Sequence, residues 1–107
     1  MSAKLPQDVR PYKRTPVFDQ DSMPAGLRHE HRTKPGVWAL IHVVEGELRY
    51  RVLDPLSEQI LLPGIPGVVC PEQRHEVEPV GPVRFFVEFY AASQTAGSPH
   101  TEPNLLT

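Results

Sequence analysis

Along most of the chain, apolar and polar positions alternate with a period of two. No stretch between prolines carries the 3.6-residue apolar repeat of a helix. "ELRYRVLD" sets Leu48, Tyr50 and Val52 against Glu47, Arg49 and Arg51, as a strand with one buried face does. "VRFFVEFYA" sets Phe85, Val87 and Phe89 against Arg84, Phe86, Glu88 and Tyr90. "VWALIHVV" (37–44) is apolar on both faces and predicts a strand covered on both sides. "EG" at 45–46 reads as a hairpin turn after it, and "VGP" at 80–82 as a turn before the last strand. Shorter segments add "PVF" (16–18) as an edge strand, "SEQILLPG" ending in a Pro-Gly turn, and "GVVCP" as a short buried strand. "RHEVEPV" places His75, Val77 and Pro79 on one face, and "GLRHEHR" places Leu27, His29 and His31 opposite Arg28, Glu30 and Arg32. Roughly six to eight short strands, with turn signals every eight to twelve residues, predict an all-β sandwich or small barrel.

Composition sharpens this picture. The 107 residues fit one domain, and 13 prolines leave little room for helix interiors. The polar start predicts a flexible segment over 1–10, a barrel over 11–92 and a loose tail over 93–107. A net charge of −2 with no basic stripe argues against nucleic-acid binding. No apolar run is long enough to span a membrane and the start is no signal peptide, so the expected compartment is the cytoplasm. The single Cys70 cannot form an internal disulfide and reads as a small buried hydrophobe.

The candidate chemistry lies in histidines and one acid. His29 and His31, two apart on a strand, share a face and can close onto one ion with bonds near ~2.1 Å. His75 opens a later strand after a Pro-initiated turn, where a barrel points it inward; the alternative is a satisfied core histidine. Glu88 stands among phenylalanines in "FFVEFY", where a buried carboxylate needs a cation or a partner such as Arg84 or another arginine. His29, His31, His75 and Glu88 together suit Zn²⁺, Fe²⁺, Mn²⁺, Ni²⁺ or Co²⁺, with Zn²⁺ placed first. His42 falls on the face opposite Ala39, Ile41 and Val43, as a packing residue between layers or subunits and not a ligand.

"GLRHEH" followed by "VVEGELRYRV" and "PGVVCPEQRH" resembles the two motif regions of the cupins. Gly26, His29, His31 and Gly46 fit the first motif; Gly64 or Gly67, Pro71 and His75 fit the second. The usual first-motif glutamate is replaced by Ala39, and Glu88 is the candidate substitute. More closely, the chain is similar to small single-domain cupins often described as related to tellurite resistance, and to the domain preceding the methyltransferase domain of some tellurite-resistance proteins. That resemblance implies a single-domain cupin-type β-barrel (double-stranded β-helix, or jelly roll) with a divalent-metal centre. It also implies a stress or oxyanion connection without a defined reaction.

Three functions follow. The first is a metal-binding cupin that takes a small molecule or oxyanion at an open metal position, with Arg28, Arg74 and Tyr50 as candidate contacts. The second is a metal-dependent enzyme of dioxygenase or isomerase type. The third is a metal-free binding module, with the apolar faces of 37–44 joining two copies in a homodimer.

Overall fold

The computed structural model describes residues 5–28, 32–53 and 56–92. The chain folds into one antiparallel sheet system of six strands: β1 Val9–Arg14, β2 Phe18–Asp19, β3 Trp38–Leu53, β4 Leu56–Leu61, β5 Gly67–Val69 and β6 His75–Ala92. A 3₁₀ turn, Ala25–Arg28, is the one helical element among the described residues. The sheet order is β1-β6-β3-β4, with β2 added to β6 and β5 to β3. This is an all-β fold, as the alternation predicts, and it is consistent with the cupin-like barrel that the resemblance implies.

Two long strands organise everything. β3 and β6 run antiparallel over their lengths, from Trp38 opposite Tyr90 to Val52 opposite His75. Their inward residues form the core: Ala39, Ile41, Val43, Leu48 and Tyr50 from β3, and Val77, Val83, Phe85, Val87 and Phe89 from β6. Leu61 of β4 and Val69 of β5 close it, and Phe18 meets Phe85 edge-on at 5.8 Å between centroids.

The turns expected at 45–46 and 80–82 are not chain reversals. Both segments are irregularities inside continuous strands, where the β3–β6 register shifts between Val43 and Glu45 and again between Gly46 and Leu48. Gly46 (φ +87°) and Gly81 (φ +77°) supply the left-handed conformation that such bulges need. Because the bulges face each other, both strands bend together and the sheet curls around its interior without losing its ladder. The true hairpin joins β3 to β4, which pair up to Leu53 opposite Leu56; residues 54–55 lie outside the described residues.

Three other expectations change. β1 reaches back to Val9, inside the segment expected to be flexible, because its backbone pairs with β6. Residues 25–28 form the 3₁₀ turn where a strand was predicted, with Leu27 turned into the core. The segment 37–44 is covered on one side only: Trp38, Leu40 and His42 are half-buried on the outer face and Val44 is exposed. The tail 93–107 lies outside the described residues.

Further along the outer face, Arg49 and Arg51 point outward as predicted. Arg49 bonds Glu78 at 2.9 Å, and Arg51 reaches Glu58 at 2.7 Å and Glu76. These half-exposed pairs order β4 against β3 and β6 but add little stability each.

Candidate functional site

The alternation of "RHEVEPV" carries His75 inward with Val77, and the structure buries it, leaving 5% exposed. The ring lies edge-on to Tyr50, 5.9 Å between centroids. Its Nδ1 is 3.0 Å from the Gln73 carbonyl oxygen. A carbonyl only accepts, so Nδ1 carries the proton in this bond, and in the neutral ring the lone pair is then on Nε2. That arrangement is the one in which imidazole binds a metal, with the second nitrogen held by an outer partner.

His75 borders a small interior cavity with Thr33, Ala39, Ile41, Val87 and Phe89 among its walls. Its free space is about 20 Å³, room for one water or one ion. Pockets for organic ligands run to ~300 Å³ and more. Tyr50 is buried against the His75 ring; its hydroxyl donates to the Val68 carbonyl at 2.8 Å, and burial, with Cys70 nearby, pushes the phenol well above its ordinary range. Cys70 is half-buried, and burial raises its thiol too. The Arg74 side chain is exposed and its carbonyl accepts from the Leu53 amide at 3.0 Å. Arg28 ends the 3₁₀ turn. His29 and His31 lie outside the described residues, just after that turn.

Glu88 is not at this cavity. Val87 and Phe89 face the interior beside His75, so Glu88 between them leaves the opposite side of β6. There it finds the partners that the sequence demanded. Oε1 accepts from the Tyr90 hydroxyl at 2.8 Å and from His42 Nε2 at 3.2 Å, and Oε2 accepts from Arg14 at 3.1 Å. His42 stacks on Phe86 at 4.8 Å, and the Arg14 guanidinium lies 4.8 Å over the same ring. The expectation of a fourth ligand from Glu88 is therefore corrected: its charge is answered by an arginine, a histidine and a tyrosine on the outer face. Among the described residues, no three His, Cys, Asp or Glu side chains converge as a metal cage.

Burial alone would raise the Glu88 carboxyl, but the hydrogen bonds from Tyr90, Arg14 and His42 outweigh it and hold the acid below its ordinary value of 4.5. A depressed acid stabilises the fold above that ordinary value and loses its contribution as pH falls through the lower folded-state value. Glu88→Gln should therefore cost about 1 kcal/mol at pH 7, a modest figure because Arg14 is 62% exposed. The cost should shrink towards zero below pH 4.5, as urea melts of both proteins at pH 7 and in acid would show. A constant difference across that range would contradict the role given to the carboxylate.

Sequence reasoning missed Thr33, which is 3% exposed. Its hydroxyl donates to the Val37 carbonyl at 2.8 Å across the turn of "TKPG", where Gly36 takes φ +79°. The signal available was a threonine ahead of a Pro-Gly turn, a position where side-chain oxygens close local hydrogen bonds.

The fold and the inward imidazole define a class: a small antiparallel β-domain with one histidine poised at an ion-sized cavity. Residues 13–87 match the TehB-like domain family, and the chain belongs to that family. It is 36% identical over 73 residues to a "Probable S-adenosyl-L-methionine-dependent methyltransferase TehB" of Haemophilus influenzae (strain Rd), covering 63% of this chain and 25% of that protein. The protein of the same name from H. influenzae strain 10810 is 34% identical over 73 residues. The chain thus spans about a quarter of the length of these curated relatives. Two crystal structures share the fold. TehB from H. influenzae superposes with a TM-score of 0.80 at 23% identity, over 94% of this chain and 37% of that one. A protein from E. coli (strain K12) gives 0.77 at 24% identity, over 84% and 97%. No described helix is long and apolar enough to cross a membrane.

Proposed function

We propose that this TehB-like domain is a metal-binding cupin-type module in which His75, with His29 and His31, holds one divalent transition ion, Zn²⁺ first. A small anion or oxyanion would take an open coordination position, which links the domain to tellurite or oxidative stress. The observation carrying this reading is the bond from His75 Nδ1 to the Gln73 carbonyl, the outer partner that a metal-ligating imidazole keeps on its second nitrogen. Among the walls of the cavity beside the ring, His75 and Thr33 are the polar side chains, so further ligands would have to come from His29 and His31. When bound, the ion supplies Lewis acidity towards an oxygen ligand. The protein supplies the fixed imidazole and the apolar wall that excludes water.

Methyl transfer is named for the longer relatives and is not assigned to this chain. Nucleoside cofactors of α/β enzymes sit at the carboxyl ends of parallel strands, and the described strands are all antiparallel.

Elemental analysis of the untagged chain tests the proposal. About one metal per chain is expected, with a lower melting temperature after chelation. Affinity should fall as pH drops through about 6, because imidazoles must be neutral to ligate. Metal-free protein whose melting is indifferent to chelators would refute it. The half-buried outer face of Trp38, Leu40, Phe86 and Tyr90 favours a second reading, a metal-free module paired with a second copy, which sedimentation of the apo-protein would reveal.

A further inference from the structure

The turn that presents His75 is strained, and a residue from the other side of the cavity holds it. Gln73 N–H donates to the Cys70 carbonyl at 3.2 Å, closing a turn over Cys70–Pro71–Glu72–Gln73. Proline at the second position suits such a turn. The third position takes positive φ, where glycine is favoured; here it is Glu72 at φ +62°, the one non-glycine residue with positive φ among those described. A non-glycine residue stays there only when its surroundings impose it.

Thr33 imposes it. The Glu72 amide is shared between the Thr33 carbonyl at 3.1 Å and the Thr33 hydroxyl oxygen at 3.3 Å. The hydroxyl's own proton goes to the Val37 carbonyl, so its orientation is fixed and its lone pair faces the Glu72 N–H. One residue on, the Gln73 carbonyl receives His75 Nδ1–H. Thr33 and His75 also border the same cavity. A continuous line therefore runs from Val37 through the Thr33 hydroxyl and the Glu72 amide to the carbonyl that sets the imidazole.

From this line we infer that Thr33 is a positioning residue for His75: by pinning the Glu72 turn it aims the Gln73 carbonyl and selects the tautomer with the proton on Nδ1. The value of that tautomer for metal binding rests on the function proposed above.

The test is nitrogen-15 NMR of the metal-free, full-length chain, with the two ring nitrogens of His75 distinguished by their couplings to the ring protons. Wild type should show Nδ1 protonated. Thr33→Val, which keeps the shape and removes the hydroxyl, should shift His75 towards a mixture with Nε2 protonated, and Thr33→Ser should restore the wild-type spectrum. Zn²⁺ affinity of Thr33→Val should fall about tenfold or more, as for loss of an outer partner of a metal-ligating histidine. An unchanged tautomer in Thr33→Val, or Nε2 protonated in wild type, overturns the inference. If Thr33→Val does not fold, wild type decides: a slowly exchanging Glu72 amide together with Nδ1–H supports it, and a fast-exchanging one overturns it. If wild type binds no Zn²⁺ but the tautomer responds to Thr33→Val, the positioning role stands and the metal-centre proposal falls.

Discussion

His75→Ala is expected to lower divalent-metal affinity by at least about 100-fold. Loss of an outer partner of a ligating histidine costs ~10–100-fold, and loss of the ligand itself must cost no less. The substitution also leaves a hole beside Tyr50 and strips the Gln73 carbonyl of its donor, so a stability loss of about 2–3 kcal/mol should accompany it. His75→Gln separates the two effects, since it keeps most of the volume and a donor while removing the ring nitrogen. Glu88→Gln is the control on the other side of the sheet and should leave metal content unchanged. Calorimetric titration with Zn²⁺ of all three variants, alongside urea melts, reads both quantities. Equal affinity in His75→Ala and wild type would end the case for a metal at this position.

Gly46→Ala should be the most damaging single substitution in the backbone. A Cβ built at Gly46 would lie 2.2 Å from the Pro82 carbonyl oxygen and 2.9 Å from Val83 Cα. Both are backbone atoms of the paired strand, opposite Gly46 in the β3–β6 register, and cannot yield without parting the ladder. The residue also sits at φ +87°, which costs a non-glycine residue ~1–2 kcal/mol even in open space. A total of at least about 3 kcal/mol is expected, among the larger single-site effects. For a domain of this size that is a fall in melting temperature of roughly 4–8 °C per kcal/mol. Gly81→Ala isolates the conformational share: φ there is +77°, but nothing lies within 4 Å of the added carbon. It should therefore lose only about 1 kcal/mol. Similar losses at the two glycines would show that the close approach at Gly46 does not matter.

These contrasts explain what the amino-acid sequence made legible. Period-two alternation found the inward rows of β3 and β6, because Leu48, Tyr50, Val77, Phe85, Val87 and Phe89 bury large side chains at every second position. The same rule put His75 inside. It also placed Glu88 on the face of Phe86 and Tyr90, away from Val87, so the wrong step was to gather Glu88 with the inward histidines. Its partners Arg14 and His42 come from strands far away in the chain, and no local pattern around "FFVEFY" announces them. β1 was missed because "VRPYKR" has too few apolar residues to alternate; its pairing is a backbone affair with β6. The bulges at Gly46 and Gly81 imitated turns, since glycine at positive φ serves both. Only the pairing partner tells them apart, and here each bulge has the other opposite it.

Every shorter strand hydrogen-bonds to β3 or β6, and those two meet only across distant stretches of sequence, Val52 with His75 at one end and Trp38 with Tyr90 at the other. β1 and β2 join β6 while β4 and β5 join β3, so the two halves of the core meet only when that one pairing forms. Such non-local topology places refolding in the millisecond-to-second range, with a single cooperative transition as the natural outcome. Cutting the chain between β3 and β6 should then yield two fragments that are each unstructured and that regain the sheet only when mixed.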